Sequence, residues 1–146
     1  MKKPVKTLED LDAEAAIFMK DLAPEESGAT LISLSGELGA GKTAFTKAAA
    51  KILGVEELVN SPTFVLEKIY KFESPNSKFK RLVHIDAYRL ESGGDLAPLG
   101  FDELMLDAGN LIFIEWPEKV KDSLPAPAKH IFFESLSDGS HTISYD

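Results

Sequence analysis

The stretch that decides the fold is ATLISLSGELGAGKTAFTKAAAKILG, from residue 29 to residue 54. Its first part, Ala29 to Ser35, is a short and almost continuously apolar run of the kind that forms a buried strand. Its last part, Ala44 to Gly54, has helical composition and ends in a glycine, a common helix stop. The segment between them, Gly36-Glu37-Leu38-Gly39-Ala40-Gly41-Lys42-Thr43, matches the pattern G-x-x-x-x-G-K-[ST]. A strand before this pattern and a helix after it are the context that the pattern requires.

The residues of this loop suit phosphate oxygens and Mg²⁺. Glycines let backbone N–H groups converge on an anion, and the helix N-terminus adds a favourable partial charge. Lys42 can bridge the β- and γ-phosphates, and the Thr43 hydroxyl can ligate Mg²⁺. The alternative, a glycine-rich turn that binds nothing, is rejected because of the strand and helix around it. The sequence therefore predicts a nucleoside triphosphate site.

Composition limits the remaining possibilities. The chain has 146 residues, 44% of them apolar and 27% charged, which suits one globular domain spanning 1–146. No run approaches the roughly 18 apolar residues that a membrane span needs. The absence of cysteine excludes disulfides and thiolate metal sites, and we expect a cytoplasmic protein. The net charge of -8 argues against direct, strong binding to nucleic acid by this chain alone.

The rest of the chain has the mixture of helix and strand segments that is typical of an α/β protein. Thr7 and Asp10 have the spacing of a helix cap, and the apolar residues that follow at helical spacing predict a first helix that faces the core: Leu8, Leu11, Ala15, Phe18, Met19 and Leu22. Further β segments are predicted at 64–72, 81–90 and 110–116, and the polar turn between the first two favours their pairing as neighbouring strands. Gly93, Gly94 and Pro98 are expected to break the chain before a short helix at 102–107. Another short helix is predicted from Pro117, and a closing hairpin at 130–136 and 140–146. We predict an α/β fold, a P-loop NTPase-like three-layer sandwich whose central, mainly parallel sheet is flanked by helices and antiparallel edge strands.

Two carboxylates are candidates for the acidic residue that holds the metal in such a site. Asp86 ends the apolar run LVHID, and Glu115 ends LIFIE. Each is expected at the carboxyl end of a strand, where open α/β sheets place their ligand sites. Either one alone could instead be a solvated strand-end carboxylate, and spacing does not assign their roles.

ATP is the favoured nucleotide. GTPases read guanine with the motif Asn-Lys-x-Asp, which does not occur in this chain. Small-molecule kinases usually surround the transferred phosphoryl group with several arginines, whereas this chain has only Arg81 and Arg89. A small-molecule P-loop kinase is therefore the alternative rather than the preferred interpretation.

Four motifs together resemble one known family. GELGAGKT at 36–43, SPTF at 61–64, HIDAYRL at 84–90 and IEWPEK at 114–119, in this order and spacing, are similar to those of the TsaE (YjeE) family of tRNA threonylcarbamoyladenosine biosynthesis ATPases. The resemblance covers most of 8–136. It is specific because all four motifs occur within this length, although each motif beyond the P-loop is weak alone.

The resemblance implies roles for individual residues. The P-loop would bind ATP through 37–44, Thr43 and Glu115 would ligate Mg²⁺, and Asp86 would lie near the γ-phosphate and support hydrolysis with Lys42 and Glu115. Nucleotide contacts are thus expected from Glu37, Leu38, Gly39, Ala40, Gly41, Lys42, Thr43, Ala44, Thr63 and Trp116. Ser61 and Thr63 would belong to a switch-like loop. From the residues alone, a proline-ordered turn is the preferred interpretation of Ser61–Phe64. A strand-end core tryptophan explains Trp116 equally well.

Other residues near these motifs have less certain roles. His84 alternates with Asp86 on one strand face and is interpreted as a core imidazole rather than a group that orients Asp86. Tyr88 is expected to pack, and Arg89 to contact phosphate, a partner or a surface carboxylate. The resemblance places an adenine pocket near Lys6 and Thr7, and at the strand start at His130.

The chain departs from the family pattern at two positions of the loop. Ala44 stands where the family often has a second hydroxyl residue, and Glu37 replaces a common aspartate. Nucleotide binding should survive the change at Ala44, because the helix N–H at this position remains available, and Glu37 is a conservative replacement. Neither position is an expected metal ligand.

The resemblance implies a partner-dependent ATPase. Such proteins act with TsaB-like and TsaD-like proteins, which transfer a threonylcarbamoyl group to adenosine 37 of tRNA, so this chain would meet tRNA only through the complex. Two competing classes remain: the small-molecule kinase and a non-catalytic ATP-binding adaptor. An adaptor would keep its function after Asp86→Asn, whereas a kinase would form a phosphorylated metabolite.

Overall fold

The secondary structure follows the predicted order closely. The structure, a computed structural model, describes residues 2–25, 27–37, 40–56, 66–73, 77 and 79–145. Within them, the strands are β1 Lys2–Val5, β2 Thr30–Ser35, β3 Glu67–Lys71, β4 Arg81–Asp86, β5 Asn110–Glu115, β6 Lys129–Ser135 and β7 His141–Tyr145. The helices are α1 Leu8–Asp21, α2 Lys42–Leu53 and α3 Phe101–Met105, with 3₁₀ segments Gly93–Leu99 and Pro117–Lys119.

The strands of the described residues form one seven-stranded sheet in the order β1-β7-β6-β2-β5-β4-β3. The four central strands, β6, β2, β5 and β4, are parallel to one another. Strands β3, β7 and β1 pair antiparallel at the two sides. Because β2, β4 and β5 are parallel, their carboxyl ends meet at one edge of the sheet, beside the N-terminus of α2.

Apolar layers cover both faces of the sheet. Every residue of β2 and β5 is buried, as expected for strands covered on both sides. One face packs on α1 and α2 through a cluster of aromatic rings that includes Phe18, Phe45, Phe113 and Phe133. The other face packs on α3, the two 3₁₀ segments and the residues that follow them. These layers confirm the predicted α/β three-layer sandwich.

The start of α1 confirms the predicted cap and corrects one core residue. The Thr7 hydroxyl accepts a hydrogen bond from the Asp10 amide, and the Asp10 carboxylate accepts one from the Thr7 amide, so the two form a reciprocal capping box. Leu11, Ala15, Phe18 and Met19 are buried as predicted. Leu8 is not, because this residue of the first turn lines an open cleft and is 73% exposed.

Three predicted segments differ from the structure in extent. The β-rich run at 81–90 ends as a strand at Asp86 and continues as a turn, and the helix expected from Pro117 is a single 3₁₀ turn. The segment around Gly93 and Pro98, expected only to break the chain, is itself a 3₁₀ helix with a Ser92–Asp95 capping box. The predicted pairing of β3 with β4 and the closing β6–β7 hairpin are confirmed.

Strand β1 was not predicted. It is short and contains Pro4, which suits an edge strand but gives no alternating pattern. Within the described ranges, no helix combines the length and apolar character required to cross a bilayer.

Candidate functional site

The loop between β2 and α2 is shaped by close approaches of its backbone. Gly36 has a φ of +145°, and a Cβ there would lie 2.4 Å from the carbonyl oxygen of Phe133. Gly41, at the N-cap of α2, has a φ of +111°. Both positions therefore require glycine, as the motif predicts. Leu38 and Gly39, two of the predicted nucleotide contacts, lie outside the described residues.

Lys42 lies inside the site rather than on its surface. Only 4% of the residue is exposed, and its Nζ donates a hydrogen bond to the carbonyl oxygen of Gly36. The same Nζ lies 3.6 Å from the centroid of the Trp116 ring, a cation–π contact. Burial lowers the pKa of the Lys42 amine, while the negative charges of Glu115, Glu118 and Asp86 oppose that shift. The amine is thus poised among carboxylates, an aromatic face and the loop backbone.

Thr43 and Glu115 meet as the resemblance implies. The Thr43 hydroxyl donates to Oε2 of Glu115 at 3.1 Å. Glu115 is the last residue of β5 and is 3% exposed. A second group, Nε2 of His84 in β4, lies 2.5 Å from the same Oε2. One oxygen of the Glu115 carboxylate is therefore in contact with two side chains, one from α2 and one from the neighbouring strand β4.

Asp86 stands beside Glu115 at the same sheet edge. The two residues are register partners in the parallel β4–β5 pair, as their positions at strand ends predict. Asp86 is 7% exposed, and its Oδ1 accepts a hydrogen bond from the Tyr88 amide at 3.0 Å. The two carboxylates and the P-loop residues Lys42 and Thr43 thus converge on one edge of the sheet.

Trp116 follows Glu115 in an uncommon backbone conformation. Its φ and ψ are 60° and 50°, in the left-handed region that few residues other than glycine adopt. Its amide donates to the Leu34 carbonyl at 3.2 Å, and its ring packs against Tyr88 with centroids 5.1 Å apart. Tyr88 therefore packs as predicted, and it supports the indole that covers Lys42.

Two clefts open on either side of the loop. A cleft of about 290 Å³ is lined by Lys6 and Thr7 together with Ala40, Gly41 and Ala44. This cleft therefore brings two residues of the predicted adenine pocket, Lys6 and Thr7, next to the end of the P-loop. His130, the other predicted adenine-side residue, lies instead in a groove of about 590 Å³ lined by Ser35, Gly36, Glu37 and Trp116 among others, and its Nδ1 is hydrogen-bonded to the Ser33 hydroxyl.

The predicted residues therefore separate into those that the structure assembles and those that it leaves apart. Lys42, Thr43, Asp86, Glu115 and Trp116 come together. Glu37 is exposed beside the groove, and Arg89 is exposed after β4. Ser61 and Thr63, with the rest of the expected switch-like segment to Phe64, lie outside the described residues.

Two features of the site were missed by the sequence analysis. Oε2 of Glu118 accepts a hydrogen bond from the Ser35 hydroxyl at 3.2 Å, which places a third carboxylate beside the P-loop. The signal available in the sequence was the position of Glu118, only three residues after Glu115. His84 contacts Glu115 rather than Asp86 and is not a satisfied core imidazole, because its buried Nδ1 has no hydrogen-bond partner among the described residues.

Comparison with known proteins gives consistent matches. The profile of a family described as threonylcarbamoyl adenosine biosynthesis protein TsaE matches residues 5–143. The chain is similar to the tRNA threonylcarbamoyladenosine biosynthesis protein TsaE of Bacillus subtilis, with 36% identity over 115 residues, 79% of this chain and 68% of that protein. It is also similar to the protein of that name from Treponema pallidum, with 37% identity over 119 residues, 82% of each chain.

A solved structure agrees with the fold. The crystal structure of Bacillus subtilis YdiB superposes with a TM-score of 0.76 at 28% sequence identity, over 99% of this chain and 83% of that one. Sequence and fold similarity thus extend across the P-loop, both strand-end carboxylates and the sheet that holds them.

Proposed function

This chain belongs to the TsaE family, and we propose that it is a weak ATPase of tRNA N6-threonylcarbamoyladenosine biosynthesis that acts as a nucleotide-dependent partner of TsaB-like and TsaD-like proteins. The observation that carries the proposal is the 3.1 Å contact between Thr43 and Glu115, beside buried Lys42 and Asp86. This contact brings the P-loop threonine to the carboxylate at the end of β5, the two groups that the family resemblance assigns to Mg²⁺.

The donor atoms fit Mg²⁺ with a nucleotide. Mg²⁺ prefers oxygen ligands and usually takes one or two from protein, with phosphates and waters completing the shell. Thr43 and Glu115 supply a hydroxyl and a carboxylate oxygen, and among the described residues no cluster of three or more acidic, His or Cys side chains forms an all-protein metal site. When bound, Mg²⁺ would neutralise phosphate charge and polarise the bond to be broken.

Each residue of the site has a task in ATP hydrolysis. Lys42 exchanges its contacts with Gly36 and Trp116 for phosphate oxygens, and the amides at the start of α2 bind the same anion. Asp86 orients a water toward the terminal phosphate, and its Oδ1 is already held by the Tyr88 amide. The cleft at Lys6 and Thr7 accommodates adenine, because it opens directly beside Gly41 and Ala44.

The nucleotide would control association with the partners. The net charge of -8 is poorly suited to gripping RNA, so the partner complex would hold the tRNA. ATP binding would dock this chain on the TsaB–TsaD pair, and hydrolysis would reset the assembly for another turnover.

Reconstitution of the tRNA modification tests the proposal. We expect multiple turnovers only when the wild-type chain is present with ATP and Mg²⁺. Lys42→Ala should abolish both turnover and ATP-dependent recovery of the TsaB–TsaD pair, and Asp86→Asn should abolish turnover while recovery persists. Lys47→Ala is the matched control, since Lys47 is an exposed lysine of the same helix.

Three outcomes would contradict the proposal. Modification that turns over unchanged without this chain would remove its role in the pathway. Full turnover with Asp86→Asn would make it an ATP-binding adaptor without required hydrolysis, and a phosphorylated metabolite would make it a kinase.

A further inference from the structure

We propose that His84 is a positioning residue, whose imidazole holds the Glu115 carboxylate in the orientation that the magnesium site needs. The inference rests on the proposed function, because it assigns a support to the same metal ligand. Three observations carry it: the complete burial of His84, its contact with Glu115, and the lack of a partner for its second ring nitrogen among the residues that the structure describes.

The contact lies deep between two central strands. His84 is 0% exposed, and its register partner across the parallel β4–β5 pair is Phe113, two residues before Glu115. Its Nε2 reaches forward along the sheet to Oε2 of Glu115 at 2.5 Å. Asp86, the residue that alternation on the strand would suggest as the partner of His84, has its Oδ1 on the Tyr88 amide.

The hydrogen-bond partners determine which tautomer the imidazole adopts. An ionised carboxylate only accepts hydrogen bonds, so Nε2 must carry the proton that it shares with Glu115. Nδ1 is buried and has no partner in the part of the chain that the structure describes. A proton there would be an unsatisfied buried donor, which is costly, so the tautomer with the proton on Nε2 is the favoured one.

This arrangement holds Glu115 on the side of Thr43. Oε2 receives the Thr43 hydroxyl at 3.1 Å and the His84 imidazole at 2.5 Å, from two different elements. Loss of the imidazole donor would leave a 3% exposed carboxylate with less support and more freedom to turn. Outer partners of metal ligands act in this way, and their loss typically lowers metal affinity about 10- to 100-fold.

Two substitutions separate positioning from simple filling of the core. In His84→Gln the amide nitrogen falls near the place of Nε2 and can still donate to Glu115. In His84→Asn the donor falls near Nδ1 and cannot reach it. Leu82→Met is the control, since Leu82 lies on the same face of β4, is equally buried and packs in the apolar core.

Calorimetric titration with a non-hydrolysable ATP analogue provides the measurement. With Mg²⁺, His84→Asn should bind about tenfold more weakly than wild type, whereas with a chelator instead of Mg²⁺ the two should agree within about twofold. His84→Gln and Leu82→Met should stay close to wild type in both conditions. Equal affinity of all four proteins with Mg²⁺, or equal weakening of His84→Asn with and without Mg²⁺, would overturn the inference.

Nitrogen-detected NMR of the histidine rings adds a test that needs no ligand and no variant binding data. The chain has three histidines, and the signals lost in His84→Gln identify His84. We expect the tautomer with the proton on Nε2, and the opposite tautomer would overturn the inference.

The titration also distinguishes the two proposals. A wild-type protein that fails to bind the analogue with Mg²⁺ would contradict the proposed function, and the inference with it. Wild-type binding with unaltered Mg²⁺ dependence in His84→Asn would contradict the role of His84 alone.

Discussion

Thr43 and Thr46 lie about one turn apart on α2, and their hydroxyls face different surroundings. The Thr43 hydroxyl donates to Glu115, whereas the Thr46 hydroxyl is fully buried and donates to the Lys42 carbonyl. Thr43→Val should weaken Mg²⁺-dependent nucleotide binding about tenfold or more, because it removes a proposed metal ligand. Thr46→Val should leave binding unchanged and lower the free energy of unfolding by at most about 1 kcal/mol. Calorimetric titration and urea unfolding of both variants check this pair, and equal loss of binding in the two would contradict it.

Lys42 should make the stability of the nucleotide-free protein depend on pH in the alkaline range. Burial lowers the pKa of its amine below the ordinary value of 10.5. Between the folded pKa and 10.5 the unfolded chain binds more protons, so the free energy of unfolding should rise with pH through that window. In Lys42→Met this rise should be absent. Urea unfolding of both proteins at increasing pH measures the difference, and parallel curves would contradict the prediction.

The positions of individual site residues were predictable where the end of a strand determines them. Asp86 and Glu115 end apolar runs, and parallel strands bring such ends together. The partner of His84 was not predictable, because it depends on the register of β4 against β5 and on the reach of a ring across that pair. The place of Glu118 beside the P-loop was not predictable for a similar reason, since its contact with Ser35 joins segments that are distant in sequence.

At the scale of elements, α1 contacts β7 through a partly buried hydrogen bond and an aromatic stack. The Tyr145 hydroxyl donates to Oε1 of Glu14 at 2.7 Å, and its ring stacks on Phe18 with centroids 5.7 Å apart. Burial and the Glu14 carboxylate raise the pKa of the Tyr145 hydroxyl above its ordinary value of 10.0. The Tyr145 hydroxyl that joins β7 to α1 is therefore protonated at neutral pH.

Tyr145→Phe should therefore lower the free energy of unfolding by about 1 to 2 kcal/mol at neutral pH. Because the folded pKa is raised, the wild-type contribution is complete below the unfolded pKa of 10.0 and is lost as the pH rises above it. The difference between the two proteins should accordingly shrink in strongly alkaline solution. Urea unfolding at neutral and alkaline pH checks both parts, and a difference that grows with pH would refute them.

Elements were predictable from sequence where periodicity and caps coincide. Thr7 and Asp10 begin α1 as expected, and Gly54 ends α2. Edge and connecting elements were harder, because β1 is a short strand with a proline, and it is stabilised by pairing with β7 rather than by its own pattern. The exposure of Leu8 likewise depends on the open cleft beside Gly41, which helical spacing alone does not reveal.

At the scale of the whole molecule, charge sets what the chain can bind without help. The sequence has 24 acidic and 16 basic residues apart from histidine, a net charge of -8. We expect the isolated protein to bind tRNA no more tightly than about 10⁻⁴ M at physiological salt, the weak limit of non-specific affinity. Filter binding over a salt series measures this, with the partner complex as the positive control. Salt-dependent micromolar binding by the isolated chain would contradict the expectation.

The contact between Lys42 and Trp116 gives the protein an optical reporter of its own. Trp116 is the only tryptophan in the sequence, and the Lys42 ammonium lies 3.6 Å from the centroid of its ring. Indole fluorescence responds to a nearby charge, so departure of the ammonium toward phosphate should change the emission. Stopped-flow mixing with Mg–ATP can therefore follow filling of the site in real time without a label. A Lys42→Ala protein should start from a different emission and respond little, whereas a filled wild-type site with unchanged emission would mean that the lysine stays on the ring.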